Sequence, residues 1–364
     1  MHRVVNFGSV LQAYATQVAI EKLGYDCTII DYRYPNDYHV KPKGFPYRVY
    51  DFAKSLLQGF PRQKQIRKIN NFIDNNLKLT DVSYYDRDSL KNNAPKFDKY
   101  VVGSDQTWNT TYTKGDDIFL LNFVDSSEKI AYASCAAHTS VDPCFESQFK
   151  DNLNKFKAIS VRDSNTKSFV KNIVGLDVPI VLDPTLLLDK SEWNIVANQS
   201  RLHNIIKGKY ILVYILSYSF NPYPFVTDVI RQIYQEMGLP VVIIRYAMRK
   251  RLGVQIEKNF YEGISPEDFV WLFSNASFVV TTSFHGTAFA INYDKPFYAI
   301  YNSKLQDNRI KSLLQLLGCE QFGLSVNSDI PQYFENHTNN EVVISKLNLE
   351  RTKSFDYLQT ALSI

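Results

Sequence analysis

The sequence predicts an α/β protein made of two doubly wound, Rossmann-like domains facing a cleft. Three observations carry the prediction. Short β-branched runs alternate with helical patterns almost throughout, as in largely parallel sheets. The 364 residues exceed the roughly 250–300 at which one hydrophobic core stops growing. The alternation also breaks at a polar stretch, Asn198 to Lys209, and restarts at the apolar run Tyr210 to Leu216. The expected division is therefore residues 1–204, residues 205–346, and a last helical stretch, residues 347–364, that crosses back onto the first domain.

Taken in order, Ser9 to Leu23 places Val10, Tyr14 and Val18 on one helical face and stops at Gly24, a C-cap glycine. Thr28 to Asp31 is a short strand, and Arg62 to Leu77 a basic, weakly amphipathic helix. Strands are expected at Tyr100 to Val102, Ile130 to Ala133, Ile159 to Val161 and Ile180 to Leu182, with a helix from Ser164 to Lys171. After the break come strands at Tyr210 to Leu216, Val241 to Ile244, Phe278 to Thr281 and Pro296 to Ile300. Helices are expected at Pro266 to Asn275, from about His285, and at Arg309 to Leu317. No period of 20 to 50 residues marks a solenoid.

Composition narrows the class of function. Forty-one Lys and Arg against 37 Asp and Glu leave +4, too small a bias for a nucleic-acid or membrane-surface protein. The opening MHRVVNFGSV holds no apolar core of signal-peptide length, and no apolar run approaches the roughly 20 residues that span a bilayer. The chain reads as soluble and cytoplasmic, or peripheral at the inner face of the membrane. The four cysteines show no C-x-x-C spacing, so neither a zinc site nor a disulfide framework is expected. P-loop, G-x-G-x-x-G, G-x-S-x-G and H-E-x-x-H motifs are absent, which removes the main support for an ATPase, an NAD enzyme, a serine hydrolase or a zinc protease.

Ligands of doubly wound sheets bind at the carboxyl ends of strands, so motifs just after strands matter most. In Val279 to Ala290 (VVTTSFHGTAFA) a strand runs through Thr282 and Ser283, candidate N-caps, into Phe284, His285 and Gly286, which open a helix. Such a terminus attracts an anion, and a histidine there can donate or accept a proton as an anionic donor binds. A purely structural histidine bridging strand and helix fits the same residues. In VVGSDQTWN, Gly103 permits a tight turn, Ser104, Asp105 and Asn109 offer polar contacts, and Trp108 offers a face for stacking on a sugar. Equally, Asp105 can close an Asx-turn while Trp108 fills core. Asn6, Gly8 and Gln12 in NFGSVLQAYA form a third loop before a helix. Arg162, Asp183 and Arg245 also follow strands, where an arginine can grip a phosphate bidentately or serve a structural ion pair.

In this order, NFGSVLQAYATQVAIEKLGYDCTIIDYR, FDKYVVGSDQTWN, ISVRDSNT, VLDPTLLL and SPEDFVWLFSNASFVVTTSFHGTAFAINYDKPF resemble the polysaccharide pyruvyl transferase family over roughly residues 5–300. The resemblance implies a fold similar to GT-B glycosyltransferases and a role in bacterial exopolysaccharide or capsule synthesis. It implies transfer of pyruvate from phosphoenolpyruvate, a co-substrate, to two hydroxyls of a glycan or lipid-linked sugar, with no cofactor and no metal. His285 would be the catalytic acid/base. Ser283, Gly286, Arg162, Arg245 and Arg309 would meet the donor, on the side of the second domain. Asn6, Gly8, Gln12, Ser104, Asp105, Trp108 and Asn109 would meet the acceptor, on the side of the first. A nucleotide-sugar glycosyltransferase and a non-catalytic glycan-binding protein are the alternatives.

Two departures accompany the resemblance. In members with the better understood donor site an arginine precedes the corresponding histidine by two residues; that position is Ser283 here. The charge would then come from another arginine, from backbone amides, or the substrate differs. Members also carry a full strand before N-[YF]-G, whereas only Met1 to Val5 precede Asn6. The expectation is a truncated first strand and a natural start further upstream.

Overall fold

The computed structural model describes residues 1–33, 61–124, 129–244, 252–260, 263–331 and 340–364. The chain divides into two compact units, Met1–Leu187 with Glu350–Ile364, and Leu188–Leu349. It is an α/β protein whose described sheets are all parallel.

In the first unit β1 (Ile29–Tyr32) pairs with β2 (Leu79–Tyr84), and β3 (Tyr100–Val102), β4 (Lys129–Ser134) and β5 (Ala158–Val161) form a second sheet in the order β3-β4-β5. The helix Phe7–Lys22 begins where Asn6 accepts a hydrogen bond from Gly8 N, and it buries Val10, Leu11, Ala15 and Ala19. The basic stretch is a helix, Pro61–Asn76, that buries Ile69, Phe72 and Ile73 and leaves its cations outward. The helix Ser164–Val174 starts on the Asp163 cap and stops at Gly175, whose φ of 75° suits glycine. Ile180 to Leu182 joins the sheet only through a bridge from Ile180 to Val161. Pro179 and Pro184 bracket it and withhold two backbone donors.

The second unit holds β6 (Ile211–Tyr214), β7 (Val241–Ile244), β8 (Ile256–Phe260), β9 (Phe278–Thr281), β10 (Phe297–Tyr301) and β11 (Gly323–Ser325). Their order is β11-β10-β9-β6-β7-β8. Counted from β6 as the first strand and read from the β8 edge, this is the 3-2-1-4-5-6 order of dinucleotide-binding sheets, and the order reverses between β6 and β9. The central strands β6, β7 and β9 are buried throughout. Both faces are therefore covered, which is why their sequences read as continuous apolar runs.

The polar stretch before Tyr210 is not where the units part. The helix Lys190–Ala197 belongs to the second unit. Trp193 packs edge-on against Phe289 at 4.9 Å, and Ser200 Oγ donates to Asp268 Oδ1 at 2.7 Å. Loop polarity reported solvent exposure rather than a linker. Helix Asn340–Ser363 contains the second division, at Leu349/Glu350, and its later part packs on the first unit, where Ser354 Oγ accepts from Leu182 N.

Candidate functional site

The sequence motifs form two constellations, one in each unit. In the second unit, β9 ends at Thr281 beside the end of β6, at the point where strand order reverses. Ser283 is the N-cap of the helix Phe284–Asn292, its hydroxyl accepting from Gly286 N at 3.3 Å. Thr282, read as a second candidate cap, instead donates to Leu216 O at 2.8 Å and accepts from Leu216 N at 2.7 Å, which extends the β6–β9 ladder by side chain. Thr281 Oγ1 donates to Tyr214 O at 2.8 Å and accepts from Ser283 N at 3.1 Å. The backbone amides of Ser283 and Gly286, offered by the sequence to a donor, are thus engaged within the turn that shapes the helix start.

His285 lies in the first helical turn, 7% exposed, its ring edge-on to Phe284. Gly286 is required by space rather than by φ. A Cβ at this position would lie 2.3 Å from Thr281 Oγ1 and 3.0 Å from Tyr214 Cδ1. The close approach lets the helix start directly over the strand end, so its positive pole and His285 sit at the reversal point. The helix Arg309–Leu317 packs against this helix. Arg309 is held by Asp307, with Nε to Oδ1 at 2.8 Å and Nη2 to Oδ2 at 2.6 Å. Arg245 and the basic run Arg249, Lys250 and Arg251 lie outside the described residues.

In the first unit the loops after β3 and β5 come together with the start of the Phe7–Lys22 helix. Ser9 Oγ donates to Asp105 Oδ2 at 2.5 Å. Asp105 has a φ of 73°, a left-handed conformation that aspartate tolerates better than most residues. Ser104 Oγ donates to Asp183 Oδ2 at 2.7 Å, and Arg162 Nη1 donates to the same oxygen at 2.8 Å. These three side chains are almost wholly buried. Arg162, expected at the donor, therefore belongs to the first unit, where it forms a buried ion pair that braces the Ser104 loop.

Gln12 Nε2 returns to Ser9 O at 3.0 Å, while its Oε1 is buried without a hydrogen-bond partner. Asn109 caps the short helix Thr110–Thr113 and gives its amide to Gln106 Oε1. Trp108 is 1% exposed, donates its indole N–H to Phe119 O at 3.1 Å and packs edge-on against Phe156. Here the structure corrects the stacking expectation: both ring faces are consumed by core. Asn6, Gly8, Gln12, Ser104, Asp105 and Asn109 are brought into one region, and Trp108 lies beneath it.

Two groups escaped the sequence reading. Ser9 lies between the motif residues Gly8 and Gln12, and a hydroxyl in the first turn of a helix facing a strand-end acid is the signal that identifies it. His2, Arg3 and Ser83 converge on Asp31, with His2 Nε2 to Oδ1 at 3.0 Å, Arg3 Nε to Oδ1 at 2.8 Å and Ser83 Oγ to Oδ2 at 2.6 Å. Burial alone would raise the Asp31 carboxyl, but these hydrogen bonds outweigh it and hold the group far below the usual carboxylate range. Burial pushes His2 down to about 4. Among the described residues, no helix is long and apolar enough to cross a membrane.

No curated protein matches the chain. Among solved structures it is similar to a putative UDP-N-acetylglucosamine 2-epimerase from Listeria monocytogenes, at 11% identity over 97% of this chain and 88% of that one, with a TM-score of 0.49. It is also similar to a UDP-GlcNAc 2-epimerase from Neisseria meningitidis bound to UDP-GlcNAc, at 10% identity over 93% and 96% of the two chains, with a TM-score of 0.46. Both are distant likenesses. Residues 6–304 match the family described as polysaccharide pyruvyl transferase, a span that contains the first-unit constellation and His285 with the start of its helix, and the protein belongs to that family.

Proposed function

We propose that the protein transfers the pyruvyl group of phosphoenolpyruvate to two hydroxyls of one glycan sugar, with His285 as the acid/base. The observation that carries this reading is the placement of His285 in the first turn of the Phe284–Asn292 helix, at the strand-order reversal of the second unit. The helix terminus supplies roughly +0.5 of an elementary charge for the donor's phosphate or carboxylate. Arg309, on a helix packed against it, supplies a guanidinium that a phosphate can share with or draw from Asp307.

The steps balance without a redox partner. His285 gives its proton to the methylene carbon of the donor, which becomes a methyl group and leaves C2 cationic. One sugar hydroxyl attacks C2 and returns its proton to His285. The C2–O bond to phosphate then breaks, the second hydroxyl closes the ketal, and its proton leaves with inorganic phosphate. A general acid/base within reach of both carbon and oxygen is the main demand. Phosphoenolpyruvate is a co-substrate, and no cofactor is needed for this sequence. The acceptor in this reading is a glycan precursor at the cytoplasmic side.

A donor screen tests the proposal. Phosphate release from phosphoenolpyruvate should require added glycan precursors and disappear in His285→Ala while the unfolding midpoint is unchanged. Turnover of a uridine diphosphate sugar in its place, or undiminished phosphate release by the variant, would sink it.

A further inference from the structure

The net charge of +4 averages over an uneven distribution. Between Asp37 and Asp74 the sequence holds eight Lys and Arg against one acid, Asp51, a net of +7. The remainder of the chain holds 33 Lys and Arg against 36 Asp and Glu and is net negative. Aromatic residues are interleaved with those cations, Phe45, Tyr47, Tyr50, Phe52 and Phe60 among them. The last part of this stretch lies on the helix Pro61–Asn76 of the first unit.

That helix buries Gln65, Ile69, Phe72 and Ile73. With about 3.6 residues per turn, Lys64, Arg67 and Asn71 lie away from the buried stripe; all three are exposed, as is Arg62 at the helix start. No carboxylate among the described residues pairs with Arg62, Lys64 or Arg67. Asp74, an acid near the far end of the same helix, is instead held by Arg3 Nη1 at 3.4 Å. The three cations also stand at the wrong end of the helix for its own stability. Its first turn carries no acid, and positive charge near the positive pole of a helix dipole is destabilising. Cations kept where the fold loses by them point to a negative partner.

A leaflet of mobile anions suits this patch better than a polyanionic strand. A nucleic acid needs several phosphates neutralised along one track, and beyond the patch it would meet a chain that is net negative. Anionic headgroups diffuse laterally and collect under a small basic surface, and tyrosine and phenylalanine settle at headgroup level.

We propose that the outward face of the helix Pro61–Asn76, through Arg62, Lys64 and Arg67, docks the first unit on a membrane surface of anionic lipid. The contact is electrostatic and reversible, and it holds the chain where lipid-linked substrates reside. It does not depend on the pyruvyl chemistry, so either reading can fail without the other.

The test is sedimentation of the full chain with vesicles of phosphatidylcholine, alone or mixed equally with phosphatidylglycerol, at low and high salt, with single-stranded RNA as competitor. The chain should partition onto the anionic vesicles and not the neutral ones, and salt should release it by screening. Each basic residue near such a surface is worth about fivefold in affinity. Arg62→Gln/Lys64→Gln/Arg67→Gln should therefore weaken partitioning by about 100-fold, at an unchanged or slightly raised Tm. A control that removes the same charge from exposed positions of the second unit, Arg201→Gln/Lys207→Gln/Lys209→Gln, should stay within about twofold of the wild type. No partitioning onto anionic vesicles, equal loss in both triple variants, or release from the vesicles by RNA at equal phosphate concentration would overturn the proposal.

Discussion

Replacing Gly286 by alanine would put a methyl carbon 2.3 Å from Thr281 Oγ1 and 3.0 Å from Tyr214 Cδ1. Neither neighbour can give way cheaply. Thr281 Oγ1 is fixed by its bonds to Tyr214 O and Ser283 N, and Thr281 is fully buried while Tyr214 packs against Phe269 at 5.1 Å. The helix start must therefore lift off the strand end, at an overpacking cost of about 1–3 kcal/mol. The same displacement moves His285, the proposed acid/base, and a misplacement of a catalytic group on the order of 1 Å can cost about 100-fold in rate. Urea unfolding monitored by tryptophan fluorescence reads the first effect, and phosphate release from phosphoenolpyruvate reads the second. The double variant Gly286→Ala/Thr281→Ala should be less destabilised than the sum of the singles, because removing the hydroxyl removes the clash. A Gly286→Ala protein with unchanged midpoint and turnover would refute the reasoning about this junction.

Other consequences are sharp enough to measure. Asp183→Ala leaves the Arg162 guanidinium buried without its carboxylate and should cost about 3–5 kcal/mol; a change below 1 kcal/mol by urea unfolding would place the pair nearer solvent than the structure does. Trp108→Ala should cost about 3–5 kcal/mol, so any lost glycan binding would come with lost stability; loss of binding at full stability would restore the stacking role. Stability should fall with acid in two joined windows. His2 is held below its ordinary value, so between about pH 6.5 and 4 the unfolded chain takes up a proton that the folded chain refuses. Below about pH 4 the unfolded Asp31 carboxyl protonates while the folded one resists. His2→Gln should flatten the upper window of the urea midpoint against pH, and an unaltered slope would count against this network.

What was legible in the sequence follows from burial. The runs VVII and FVVT are buried on both faces and read directly as β7 and β9, the helix Pro266–Asn275 carries its own start in the Ser265 capping box and Pro266, and the helix Arg309–Leu317 carries its own stop in Gly318. The strands that escaped are β2, β8 and β11, each at the end of its sheet. Edge strands are kept short, polar or charged, as in IEKNF, so the apolar signal is missing where they occur. At the site, the strand-end residues were each visible, but their partnerships were not. Ser9 and Asp105 are 96 positions apart, and Ser104 and Asp183 are 79 apart. Only the fold brings such pairs together. Trp108 shows the converse, since an aromatic after a strand reads alike whether its faces are open or packed.

The most direct measurement of the central claim follows the carbon atoms. Phosphoenolpyruvate with an isotopic label at C2 is incubated with extracted glycan precursors, the wild-type protein and His285→Ala, and the glycan is examined by NMR. The account predicts a labelled quaternary ketal carbon bearing a methyl group, formed in equal amount to released phosphate by the wild type and absent with the variant. Label that never enters the glycan, or a ketal that forms as fast without His285, would contradict it.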